Sequence, residues 1–232
     1  MHLVIRISAL ASFSFLAMLM ASCAAADRGA GTGNKAKPLA TPEIVANKPK
    51  IVAFGDSLTA GFGLTEKESY PYLLQQKLNA DGFDYEVVNA GVSGETSLGG
   101  LERIDWVLEM DNVRVLVLEL GANDLLRGVP PSKMKDNLDK IITKAKAKKI
   151  TVLLCGMFAP PQMGVDYQRE FMNAFPDLAQ KHKVAYLPFL LENVALKREL
   201  NLPDGIHPNA EGEKIMTDNV YKALKPMLAN GV

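Results

Sequence analysis

The chain has 232 residues, 26 Lys plus Arg against 26 Asp plus Glu, and is 48% apolar. That length suits one folded domain with a sizeable core, since about 185 residues remain once the N-terminal stretch is set aside. The balanced charge leaves neither a basic field to gather phosphates nor an acidic tail to imitate them, so nucleic-acid binding has no electrostatic support.

Residues 1–22 read as a targeting segment, in which Arg6 precedes an apolar run from Ile7 to Met20 and small residues follow. The run, about 14 residues long, is too short to span a bilayer with margin and ends as a cleavage site does, so a signal peptide and export to the periplasm or cell envelope are predicted. Two processing schemes are open. Leu19-Met20-Ala21-Ser22-Cys23 resembles the bacterial lipoprotein signal, in which Cys23 is lipidated and tethers the protein to a membrane. The other scheme is ordinary cleavage after Ala24 or Ala26. Residues 23–49, rich in Ala, Gly, Lys and Pro, read as a flexible linker with a mean reach of roughly 28 Å. Its Gly29-Ala30-Gly31-Thr32-Gly33 is not read as a phosphate loop, because no strand precedes it and no helix follows.

From Lys50 onward, residues 50–232 read as one domain. Short runs rich in Val, Ile and Leu recur at Ile51–Phe54, Tyr85–Val88, Val113–Leu118, Ile150–Leu154 and Val184–Leu187. Runs that are apolar on both faces suit buried parallel strands. Amphipathic stretches separate and follow them, near Tyr70–Ala80, Leu98–Met110, Ser132–Lys148, Tyr167–Lys181 and Ala210–Leu228. Five βα units in succession predict an α/β fold, a three-layer α/β/α sandwich around a five-stranded parallel sheet, with its chemistry at the carboxyl ends of the strands. Cys155, at the end of the fourth run, is predicted to be a small core residue.

The loops after the strands carry the polar residues. Gly55-Asp56-Ser57-Leu58-Thr59 follows the first strand, and it is not the G-x-S-x-G elbow because Thr59 stands at the last Gly position. Asn89-Ala90-Gly91-Val92-Ser93-Gly94 follows the second and Gly121-Ala122-Asn123-Asp124 the third; either alone reads as a turn or a helix cap. Asp204-Gly205-Ile206-His207-Pro208-Asn209 precedes the last helix. Of three histidines, His2 falls in the targeting segment and His182 at a helix end expected to be solvated, which leaves His207 as the candidate base. An Asp three residues earlier, in a Gly-containing turn, is placed to reach its Nδ1.

Taken in this order, Ser57, Gly94, Asn123 and His207 resemble the GDSL or SGNH hydrolase family. The likeness extends over about residues 50–227 and is closest to its bacterial periplasmic members described as thioesterase, lysophospholipase and arylesterase. It implies a flavodoxin-like sheet and a serine esterase acting on acyl esters or thioesters. Ser57 would be the nucleophile, His207 the base that later returns the proton to the leaving group, and Asp204 the residue that holds the imidazole. The oxyanion would be held by the backbone N–H groups of Ser57 and Gly94 and by the side-chain amide of Asn123, with Gly94 required because a Cβ would intrude on the substrate. Asp56 and Asp124 are assigned to loop hydrogen bonding.

No metal or organic cofactor is expected, since one usable His and one core Cys make no ligand cluster. Ser132-Lys133-Met134-Lys135 matches S-x-x-K, but without S-D-N or K-T-G partners it reads as a charged helix start. A carbohydrate O-acetyl esterase on the same residues, and a non-catalytic binding module, are the alternatives. Leu125, Leu126, Met157, Phe158 and Pro160, apolar and at the active-site end of the sheet, are the candidate substrate-binding residues for a small acyl ester or thioester; the bland alternative is that they pack against each other.

Overall fold

The computed structural model describes residues 47–229. The predicted signal peptide, Cys23 and the linker up to residue 46 lie outside the described residues. Residues 47–49 already belong to the folded domain: the Asn47 carbonyl accepts from Asn112 Nδ2 at 2.6 Å and the Pro49 carbonyl accepts from the Glu86 N–H at 3.0 Å.

Five parallel strands, β1 (Lys50–Gly55), β2 (Glu86–Gly91), β3 (Val113–Glu119), β4 (Thr151–Cys155) and β5 (Ala185–Leu187), form one sheet in the order β2-β1-β3-β4-β5. Ile51 to Phe54 and Val115 to Leu118 are fully buried, because central strands are covered on both faces. Helices α2 (Tyr70–Ala80) and α7 (Ala210–Ala229) pack together, as do α3 (Ser97–Leu108), α5 (Pro131–Ala147) and α6 (Val165–His182). Right-handed crossovers put the first pair on one face and the second set on the other. The fold is therefore the expected α/β/α sandwich. The chain runs from β1 outward to β2, then back across β1 to β3, so the loops leaving β1 and β3 diverge and open a crevice at the carboxyl end of the sheet.

The structure departs from the pattern reading at several places. The second strand lies at an edge, begins at Glu86 and runs to Gly91, with Glu86 and Asn89 exposed; an edge strand lacks the cover that would make it uniformly apolar. Two single-turn helices, α1 (Ser57–Ala60) and α4 (Ala122–Leu126), stand where loops were expected, because so few residues carry no helical period. His182 is not solvated: its Nε2 lies 2.6 Å from Asp139 Oδ1 of α5, and its side chain is 11% exposed. Ser132–Lys135 lies in the first turns of α5, with Met134 buried and Lys135 paired to Asp177 at 2.6 Å. Cys155 is wholly buried, and burial followed by the nearby Glu119 pushes its thiol well above its ordinary value.

The two helices of the smaller layer are joined by a buried carboxyl. Glu213 of α7 accepts the N–H of Tyr70 at the start of α2, at 2.7 Å, which satisfies one of the donors that a helix N-terminus leaves free. Burial pushes Glu213 up from its ordinary 4.5 to about 8, with the Tyr70 bond opposing. Between those values the folded protein holds a proton that the unfolded chain has lost, so stability contributed here falls as pH rises through that window. Glu213→Gln keeps an acceptor without a charge and should lose less stability than wild type between pH 5 and pH 8. Glu213→Ala should cost about 1–3 kcal/mol by stranding a buried N–H. Thermal midpoints of the three proteins at both pH values check this.

Candidate active site

The turn after β1 is built on two buried carboxyls. Asp56 ends the strand and caps α1, its Oδ1 accepting the Leu58 N–H at 3.0 Å, which leaves Ser57 as the first helical residue. Beneath it, Glu119 at the end of β3 accepts the Asp56 N–H at 3.2 Å and the Thr59 hydroxyl at 2.8 Å, both on Oε2. This is why a Thr, and not a Gly, stands two residues past Ser57. The other oxygen of Glu119, Oε1, is buried with no hydrogen-bond partner among the described residues. Burial, followed by the charge of Asp56, pushes Glu119 well above the carboxylate range, and a neutral carboxyl tolerates such an unpartnered oxygen far better than an anion does. Burial also raises Asp56, to about 6, against the bonds from Leu58 and Asn123 and the charge of His207.

Asn123 lies on α4, beside that turn. Its Nδ2 donates to Asp56 Oδ2 at 2.9 Å, so the turns after β1 and β3 are joined through one carboxyl. Asp124 accepts from the Ser97 N–H at 2.7 Å and the Ser97 hydroxyl at 2.6 Å, which anchors α3 to α4. Gly94 sits in the turn between β2 and α3 with φ +81°, and the nearest atom to an added Cβ would be Arg127 Nη2 at 3.6 Å. Within the folded chain it is the left-handed backbone, and not lack of room, that calls for glycine here. Arg127, the C-cap of α4, donates to the Gly94 carbonyl at 2.7 Å and so links the two turns that carry Gly94 and Asn123.

The third element is the turn before α7. Asp204 Oδ1 accepts the N–H groups of Ile206 and His207 at 3.0 and 3.1 Å, a local Asx turn that leaves Oδ2 free. That second oxygen meets His207 Nδ1 at 2.8 Å. Burial alone would raise Asp204, but the bonds from the His207 ring and from the two backbone N–H groups outweigh it and hold the carboxyl below its usual value. Asn209 closes the segment by capping α7, accepting from Glu211 and Gly212 at 3.0 and 3.1 Å. Across the crevice, His207 Nε2 lies 2.9 Å from Ser57 Oγ. Asp204, His207 and Ser57 are thus in one hydrogen-bonded line, with Asn123 alongside.

Ser57, Asn123 and His207 face a groove of about 560 Å³ whose walls are mainly apolar. All five candidate substrate-binding residues, Leu125, Leu126, Met157, Phe158 and Pro160, line it. Leu125 and Met157 also belong to the core, whereas Leu126 and Phe158 are exposed at the groove. Sequence reasoning did not single out the wall supplied after β5, which includes Phe189, Leu196 and Ile206. Phe189 stacks on Phe158 with ring centroids 4.3 Å apart. No periodic signal marks that segment, because it lies between β5 and α7 in irregular chain. Sequence reasoning likewise gave no role to Glu119 or Arg127, which flank the Gly121–Asp124 segment.

A serine, an imidazole and a carboxylate in line at the switch point of a parallel sheet, opening onto an apolar groove, define an arrangement suited to acyl transfer. The chain belongs to the GDSL-like lipase/acylhydrolase family, whose pattern matches residues 53–215, and is a GDSL/SGNH hydrolase. It is 39% identical to the esterase TesA of Pseudomonas aeruginosa over 77% of this chain and 89% of that protein. It is 35% identical to thioesterase 1/protease 1/lysophospholipase L1 of Escherichia coli, over 77% of this chain and 84% of that one. Among solved structures, the psychrotrophic esterase EstA from Pseudoalteromonas, in a form inhibited by monoethylphosphonate, superposes with a TM-score of 0.75 at 34% identity. That match covers 79% of this chain and 100% of the other.

Proposed function

We propose that the protein is an exported serine esterase that hydrolyses acyl esters or thioesters through Ser57, His207 and Asp204. The observation that carries this reading is the line from Asp204 Oδ2 to His207 to Ser57 Oγ, with steps of 2.8 and 2.9 Å, at the mouth of the groove. Ser57 Oγ attacks the acyl carbon while its proton passes to His207 Nε2, and Asp204 stabilises the imidazolium. The oxyanion is held by the N–H groups of Ser57 and Gly94 and by the second N–H of Asn123 Nδ2, the first being taken by Asp56. Collapse returns the proton to the departing alcohol or thiol. A water deprotonated by His207 then releases the free acid and restores Ser57. Inhibition of the related EstA by a monoethylphosphonate is the behaviour expected of such a serine.

The apolar walls favour a substrate with an acyl chain over an O-acetyl sugar, because an acetyl group would leave most of a 560 Å³ groove unfilled. Ser57→Ala should abolish turnover and fluorophosphonate labelling while leaving the thermal midpoint close to wild type. A series of matched esters and thioesters from acetyl to long acyl should show kcat/KM rising with chain length; a maximum at acetyl would return the reading to a carbohydrate esterase, and turnover persisting in Ser57→Ala would remove the nucleophile.

Asn123 is the least obvious member of the set, since its bond to Asp56 would equally suit a purely structural residue. A donor to the oxyanion acts when charge is on the oxygen, so Asn123→Ala should lower kcat by roughly 10²- to 10³-fold and leave KM nearly unchanged. A structural residue would instead lower the thermal midpoint, with kcat within about threefold of wild type.

Export and anchoring through Cys23 are part of the same proposal, supported by the Leu19–Cys23 segment and by the Ala-, Gly-, Lys- and Pro-rich composition of the residues that follow it. Cys23→Ser should release the protein from the membrane fraction of the producing bacterium. A wild-type protein recovered wholly soluble, with its N-terminus at Ala25 or Asp27, would show ordinary cleavage.

A further inference from the structure

The ring of Phe62 lies against the imidazole of His207, with centroids 4.5 Å apart and planes tilted by 34°. Yet Phe62 is 48% exposed, so core burial is not what holds it there. The backbone holds it. Gly61 and Gly63, on either side, take φ values of +76° and +77°, which L side chains rarely adopt. An added Cβ would come within 2.7 Å of Ser69 Cβ at Gly61, and within 2.8 Å of Leu202 Cδ1 at Gly63. The N–H groups of Gly61 and Phe62 both donate to the Ser57 carbonyl at 3.1 Å. A Gly-Phe-Gly turn is therefore tied to the residue that carries the hydroxyl and abuts, through Leu202, the segment that carries Asp204 and His207. Among the described residues, the walls of the acyl groove are formed without Phe62. Its ring contact is with the imidazole.

We propose that Phe62 is a positioning residue for the hydrolysis, its ring fixing the plane of His207 and stabilising the imidazolium that forms when His207 takes the Ser57 proton; this rests on the triad reading above. Asp204 acts on the imidazole in its plane, at Nδ1, and leaves the faces of the ring free. An aromatic face within about 6 Å of a cation attracts it through the ring quadrupole, and the attraction appears only once the imidazole is charged. Among the described residues, Asp204 acts on His207 by hydrogen bond and Asp56 by its field. Both are acidic and unchanged by substitution at Phe62, so a difference between variants reports the ring.

The experiment compares full-length wild type, Phe62→Leu and Phe62→Tyr, measuring kcat and KM against pH on one acyl ester, with thermal midpoints. Phe62→Leu should lower kcat roughly three- to tenfold with KM within about twofold. It should also move the acid limb of the profile about half a pH unit toward lower pH, the equivalent of a threefold loss in proton affinity. Phe62→Tyr, which keeps a ring, should restore both. If the Leu variant proves unstable, Phe62→Met, apolar and ringless, carries the same expectations. An unmoved limb with kcat near wild type, or a loss of kcat that Phe62→Tyr does not restore, overturns the proposal. A wild-type profile flat from pH 5 to pH 9, or an active Ser57→Ala, would remove the triad reading itself, so the two failures are told apart.

Discussion

Asp56 is closed off from solvent and accepts hydrogen bonds from two directions: the Leu58 N–H of the turn after β1 and the Asn123 amide of the turn after β3. These loops diverge at the point where the strand order reverses, and the Asp56 carboxyl holds their ends in one register. A buried carboxyl is costly unless its oxygens are satisfied. Here the cost is offset by direct bonds to both oxygens, and burial pushes Glu119 below it well above the carboxylate range, which lessens the repulsion between the two adjacent acids. The Ser57 hydroxyl and the Asn123 amide inherit their relative placement from this arrangement. His207 reaches Ser57 from the turn before α7.

The polar line and the groove beside it are built by different means. The line is made of short, direct hydrogen bonds among residues at strand ends and in tight turns, where position is well determined by the sheet. The groove is walled by Leu125 and Leu126 of α4 and by longer, irregular segments after β4 and β5, and several of its residues are left in water. Leu196 is 97% exposed with its backbone at φ +64°, and it contributes almost nothing to the core. Exposed apolar surface and an unusual backbone together, at the mouth of a cleft, suit a surface kept for an apolar ligand. The Gly-Phe-Gly turn follows the same logic in miniature, with glycine geometry presenting an aromatic ring that the core does not hold.

What was legible in the sequence was local. The runs of Val, Ile and Leu and the amphipathic stretches between them carry the α/β/α fold, because strand and helix periods are written over a few consecutive residues. Asp204 and His207 could be paired on paper, since three residues in a turn bring them within reach. Ser57, Gly94 and Asn123 lie in the loops after apolar strands, where each alone says little; the resemblance to the GDSL or SGNH hydrolase family, taken over the ordered set, is what singled them out. The edge position of β2 and the buried setting of His182 were not legible, because each depends on neighbours far along the chain.

The sequence by itself thus determined the layer order, the loops that carry the candidate site and the residue types within them. Only the tertiary structure decided that His207 reaches Ser57 across 150 residues of chain, that Glu119 lies beneath Asp56, that Arg127 holds the Gly94 turn, and that Phe62 covers the imidazole. It also decided that Phe189, Leu196 and Ile206 complete the groove. Periodicity records which face of an element is apolar, but the meeting of two turns, and the burial of a carboxyl between them, follows from how the strands cross over, and that is a property of the packed sheet.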